Sequence, residues 1–143
     1  MRKSFLKVLG VSAAVVLSSL VIAQQMEMTP SPDGAQVYIV SPVNGATVPT
    51  TFDVIFGLKG MGVAPAGVQT NNTGHHHLLV DAAELPDLNM PMGANVTHFG
   101  AGQTQTTLTL TPGEHTLQLI LGDHMHMPHN PAVLSEKITI TVR

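Results

Sequence analysis

The stretch "TQTTLTLTPGEHTLQLILGD", residues 104–123, restricts the fold more than any other part of the chain. Leu108 and Leu110 alternate with threonines, "TPGE" turns the chain, and Leu117, Leu119 and Leu121 alternate again. An apolar period of two puts every second side chain on one face of a strand and cannot make one face of a helix. The same period recurs in "TTFDVIFGLKG", where Phe52, Val54 and Phe56 share a face opposite Thr51 and Asp53. It recurs in the final "SEKITITVR", where Ile138, Ile140 and Val142 align. "QVYIV" and "HHHLLVD" read as two further strands, and no segment sustains a helical period.

Six strands of this kind, separated by Pro, Gly and Asn turns, predict an all-β antiparallel sandwich of immunoglobulin-like or fibronectin-like type. "LTLTPGEHTLQL" fits the corner between the two late strands of such a domain. The two longest connections, residues 59–74 and 82–103, flank the strand carrying "HHH", and loops of that length in a compact domain are often functional.

The N-terminus stands apart. "MRKSFLKVLGVSAAVVLSSLVIAQQ" opens with Arg2, Lys3 and Lys7 and runs apolar to Ala23, with Val21 and Ala23 small enough for the −3 and −1 positions of a cleavage site. It reads as a secretory signal peptide over residues 1–23, which implies a periplasmic or secreted protein. The apolar run is short for a membrane span, so no membrane insertion is expected after cleavage. Residues 24–35, rich in Pro and Ser, read as a flexible linker, and residues 36–143 as a single domain. Cleavage removes three of the six basic residues and leaves all nine acidic ones, so nucleic acid and anionic lipid are poor partners and a cation is a better one. There is no cysteine to form a disulfide or carry a lipid.

The chemistry lies in the histidines. Six of the eight fall in "GHHHLLVD", residues 74–81, and "GDHMHMPHNP", residues 122–131. On a strand, His75, His77 and Leu79 share one face, and His76, Leu78 and Val80 the other. Only His75 and His77 can therefore converge on one point, and His76 is expected to be structural. If the strand ending at Leu121 runs antiparallel beside the strand beginning at Gly74, His75 and His77 come next to His124, His126 and His129.

Neutral imidazole suits copper, zinc and nickel, and thioether sulfur suits monovalent copper. The expected metal site therefore comprises His75, His77, His124, His126 and His129, with Met125 and Met127 as soft ligands. Asp123 would serve as a ligand or as an acceptor that fixes a histidine tautomer. His124 and His126 share a side only if the chain stays extended beyond Gly122. His98, in "NVTHFG", is a further candidate ligand, although a loop histidine bonded locally is the commoner case. Met90 and Met92, in "NMPM", and Met26 and Met28 offer thioethers that are more often used for packing. His115 reads as a solvated turn residue.

The chain shows no HExxH, no ordered Ser-His-Asp set, no glycine-rich phosphate loop and no cysteine nucleophile, so an enzyme is not expected. Metal binding, copper before zinc, by a chaperone, buffer or delivery protein is the favoured reading, with an envelope protein as a further partner. The rival is an envelope interaction module whose histidines brace loops. Binding through imidazole is expected to fade below about pH 6.

Together, "VYIVSPVNGATVPTTFDVIFGLKGMGVAPAG", "TGHHHLLVD", "HFGAGQTQTTLTLTPGEHTLQLILGDHMHMPHNP" and "SEKITITV" resemble a bacterial family of exported proteins, domain of unknown function 4399. The resemblance runs from about Val37 to Val142 and implies export and a small β domain, with no activity attached. "LTPGEHTLQLILGDH" is also similar to periplasmic copper-resistance proteins of immunoglobulin-like fold, whose corner motif precedes a copper-holding "D-x-H" segment. That likeness lends weight to Asp123 and His124. The chain departs from it in having His115 at the aromatic position of the corner and no histidine at the mature N-terminus.

Overall fold

The computed structural model describes residues 28–143, and the signal-peptide reading and Met26 lie outside the described residues. Nine strands follow one another: β1 (Gln36–Ser41), β2 (Thr47–Val48), β3 (Thr51–Lys59), β4 (Gly62–Val63), β5 (Thr73–Val80), β6 (Thr97–His98), β7 (Gln105–Thr109), β8 (Gly113–Gly122) and β9 (Ile138–Val142). The six expected strands are β1, β3, β5, β7, β8 and β9. The other three are two-residue pairings within connections. Among the described residues there is no helix.

The strands form two sheets. One has the order β1-β3-β7, and the other runs β2-β9-β8-β5-β4, with β6 added alongside β5. β7 and β8 lie in different sheets, so "TPGE" is a corner that carries the chain across the sandwich.

The core follows from the alternation. Phe52, Val54 and Phe56 of β3, Leu117, Leu119 and Leu121 of β8, and Ile138, Ile140 and Val142 of β9 all face the space between the sheets. Leu78 of β5 joins them, and Leu108 and Leu110 pack at the margin. Each fully buried Leu or Ile contributes about 1.5–3 kcal/mol relative to exposure, which is what fixes the register of these strands.

β5 and β8 pair antiparallel with His75 opposite Gly122, His76 opposite Leu121 and His77 opposite Ile120. The end of β8 thus lies beside the start of β5, the pairing on which the expected site depends. Residues 29–31, within the segment read as linker, lie against the loop after β8. Pro30 bridges Asn130, the Ser31 N–H donates to the Asn130 carbonyl at 3.2 Å, and the Ser31 hydroxyl donates to the Pro131 carbonyl at 2.7 Å.

Candidate metal centre

Strand alternation sends the three consecutive histidines to opposite faces of the large sheet. His76 turns inward, its ring 5.1 Å from that of Phe56. Neither of its ring nitrogens has a hydrogen-bond partner, and burial lowers its pKa, opposed in part by the nearby Gln103 backbone. His75 and His77 turn to the outer face, yet both are completely buried there. The cover comes from the 82–103 connection and the loop after β8. Met92, brought in by the first of these, packs with Leu79 and Ile120 as a small apolar cluster, Ile120 being the residue paired with His77 across β5 and β8. The Met92 N–H donates to the His126 carbonyl at 2.9 Å, which ties one covering loop to the other.

Two more histidines complete the group. β6 pairs with β5 so that His98 lies opposite His77, and the loop after β8 supplies His126. His75, His98 and His126 each present a ring nitrogen, and the three lie within 4.8 Å of one another, a cluster that could hold a metal ion. The Nε2 atoms of His75 and His98 are 3.0 Å apart, and those of His98 and His126 are 2.8 Å apart. His77 stands beside them, its ring centroid 4.6 Å from that of His75 and 5.2 Å from that of His98.

These contacts do not make a satisfied hydrogen-bond network. A neutral imidazole nitrogen carries either one N–H or one in-plane lone pair. His98 Nε2 therefore cannot bond in the ring plane to His75 and His126 at once. His75 Nδ1 and both nitrogens of His77 are buried with no partner at all. Imidazoles bound to one ion at about 2.0–2.1 Å in a tetrahedral arrangement have nitrogens about 3.3 Å apart, near the 3.0 and 2.8 Å that separate His98 Nε2 from those of His75 and His126.

Electrostatics keep the rings neutral. Burial, followed by the neighbouring His98 and His126, lowers the His75 pKa to about 4, with Asp123 opposing. Burial, followed by His75, His98 and His126, lowers His77 to about 3. His98, at the exposed rim, is lowered by desolvation and by His126. The deprotonated imidazole that a metal would require is thus the resting form of the two buried rings well below the usual histidine range, so the loss expected near pH 6 is displaced downward at these two rings.

Two glycines make room for the rings. A Cβ at Gly122 would lie 2.6 Å from His77 Cε1 and 2.7 Å from Met92 Cε. A Cβ at Gly100 would lie 2.6 Å from His98 Nε2.

The other expected ligands lie elsewhere, because the chain turns sharply after Gly122. The Asp123 N–H donates to the Met127 carbonyl at 2.8 Å, the His126 N–H donates to the Asp123 carbonyl at 3.0 Å, and His126 adopts φ 66°. The turn points His126 into the cluster and His124 away, where it borders a small polar cleft with Thr70, Asn71 and Thr73. Met125 projects to solvent and Met127 is buried. His129 is a brace: packed over Gly74, its ring nitrogens face the Leu121 carbonyl at 3.4 Å and the Thr73 carbonyl at 3.2 Å.

Asp123 organises the turn. One carboxylate oxygen accepts the Thr29 hydroxyl at 2.6 Å, and the other accepts the N–H groups of Met125 at 2.8 Å and Met127 at 3.0 Å. Burial alone would raise its pKa, but these donors outweigh burial and hold it below the ordinary carboxylate value. Its oxygens are committed to positioning His126. We expect Asp123→Ala to weaken metal binding about 10–100-fold and to lower stability by about 1–3 kcal/mol, because two amides lose their acceptor. Asp123→Asn, which keeps an amide-accepting oxygen, should recover most of both in titration and thermal melts. Equal affinity in the alanine variant would show that the turn holds without the carboxylate.

His98, in the sequence only a further candidate beside the two histidine knots, is brought by the fold into the cluster with His75 and His126. Its available signal was its place in a long connection leaving the "HHH" strand, but the two-residue pairing that docks it has no periodic signature. His115 sits at the far end of β8, bonded through Nδ1 to Asp81 at 2.7 Å and through Nε2 to the Thr111 carbonyl at 2.8 Å.

A family profile described as Domain of unknown function (DUF4399) matches residues 54–143. No curated protein and no solved structure matches the chain, so the likeness to copper-resistance proteins gains no support.

Proposed function

Because the chain belongs to the DUF4399 family, whose description assigns no activity, function has to be read from the site, and we propose that this is an exported, non-enzymatic metal-binding protein. The observation that carries this reading is the convergence of ring nitrogens of His75, His98 and His126 within 4.8 Å of one another, with His98 Nε2 facing both of the other two, a grouping that one bound cation would satisfy. His77 is the fourth candidate ligand.

Copper is favoured over zinc. The donors are neutral imidazoles, Asp123 is committed to its turn, and imidazole suits copper well. The site is graded in access, with His75 and His77 buried, His126 half-buried and His98 exposed. An ion could be acquired and surrendered at the exposed side, which suits a chaperone, buffer or delivery protein in the periplasm better than a permanent structural site. An envelope protein that receives or supplies the ion is the corresponding partner.

The direct test is titration of the purified mature protein with copper and with zinc, against chromophoric chelators at pH 7. One equivalent of ion should bind with an affinity that competes with the chelator, and metal analysis of protein isolated from its native compartment should find the same ion. Failure of both ions to bind would leave the histidines as loop braces and favour the envelope-module alternative.

A further inference from the structure

The loop that carries His126 is closed at its base by a distant part of the chain. Residues 29–31 run across it. At one end the Thr29 hydroxyl donates to an Asp123 carboxylate oxygen at 2.6 Å. At the other, the Asn130 N–H donates to the Thr29 carbonyl at 3.0 Å and the Ser31 N–H donates to the Asn130 carbonyl at 3.2 Å. The Ser31 hydroxyl adds a bond to the Pro131 carbonyl at 2.7 Å. His126 therefore lies between two anchor points, in a turn set by the same Asp123 carboxylate. None of residues 28–36 is buried, so this segment is held by hydrogen bonds at the surface and not by apolar packing. Contacts of that kind open locally at far lower free energy than a domain core. β1 keeps its own pairing with β3 from Gln36 onward, so the segment can lift without unravelling the sheet.

We propose that residues 29–31 are a detachable strap that regulates the metal site: docked, it holds His126 in the cluster, and released, it loosens the loop and weakens the hold on the ion. The proposal rests on the metal-binding reading above and adds the regulation of that site. An ion shared by His75, His98 and His126 binds best when the loop holds His126 in place, which is the docked state. A ligand with that preference shifts the strap toward docking. By linkage, docking strengthens ion binding by the same factor as the ion strengthens docking. Release does not free the loop altogether. The bridge between Gly122 and Pro128 and the Met92 N–H bond to the His126 carbonyl remain. An ion can thus be surrendered without unfolding the domain. A segment that served stability alone would lower the melting temperature and leave metal affinity as it was.

The test compares the parent with a Thr29→Val/Ser31→Ala double variant, which removes both strap hydroxyls, and with Thr29→Ser, which keeps the one that meets Asp123. Copper(II) and zinc(II) affinities are measured by chelator competition. The double variant should bind whichever ion the parent takes at least about tenfold more weakly, and Thr29→Ser should stay close to the parent. Hydrogen exchange followed by mass spectrometry gives the reciprocal reading in the parent itself. Saturation with the ion should slow exchange at residues 29–35 by at least about fivefold, although none of them is proposed to touch the ion. Unchanged affinity in the double variant, an equal loss in Thr29→Ser, or exchange at 29–35 that ignores the ion would overturn the strap and leave the metal site standing. Uptake of neither ion by the parent would overturn both.

Discussion

Replacing His75 and His126 together by alanine should abolish tight metal binding, whereas His124→Ala should leave it unchanged. Loss of a group that merely orients a ligand typically costs 10–100-fold, so removing two direct ligands should cost on the order of a thousandfold or more. His124 is the informative control because it is two residues from His126 and of the same type, yet borders a different cleft. A contribution from local histidine density alone would make the single and double variants behave alike. Chelator competition distinguishes the outcomes, and retained affinity in the double variant would reject the assignment. The double variant should still fold, since truncating His75 removes a buried, unpartnered nitrogen as well as packing area, and His126 is only half-buried.

The metal-free protein should lose stability steeply between pH 6.5 and pH 4. His75 and His77 have ordinary values of 6.5 in the unfolded chain and values of about 4 and 3 in the folded one. Below pH 6.5 the unfolded state takes up protons that the folded state refuses, so stability is fully present above pH 6.5 and drains away as pH falls toward the folded values. Each tenfold difference in proton affinity between the two states is worth about 1.4 kcal/mol, so the two rings together remove on the order of 5 kcal/mol by pH 4, a large fraction of the stability of a small domain. His115 works in the opposite direction. Its bond to Asp81, then its contact with the Thr111 carbonyl, raise its pKa, but it sits at an exposed pair where such effects are small. Melting curves should therefore fall by on the order of 15 °C or more from pH 7 to pH 4. A bound ion, which occupies the same nitrogens, should restore much of that loss near pH 5. A melting temperature independent of pH across this range would mean that the two rings are hydrated or already charged in the folded state.

Much of this architecture was legible in the residues. Leu117, Leu119, Leu121, Ile138, Ile140 and Val142 face the core as their spacing requires, and the strand period separates His76 from His75 and His77. The antiparallel meeting of β5 with the end of β8 also agrees with the pattern. The rest was not legible, for identifiable reasons. His124 looked equivalent to His126 until the Asp123 turn, with its three donors and the positive φ at His126, separated them. His129 looked like a ligand because of its place in the knot, but its ring spans two carbonyls at the join of β5 and β8.

By itself, then, the sequence determined which residues could form strands, which faces those strands would bury, and that His75 and His77 would point together. These are local properties, set by a backbone that alternates its side chains every two residues. Only the tertiary structure decided that His98 and Met92 return from a long connection to the outer face of β5, and that His126 rather than His124 turns inward. Those placements depend on loop paths and on hydrogen bonds between residues as far apart as Thr29 and Asp123, and no short-range period encodes them.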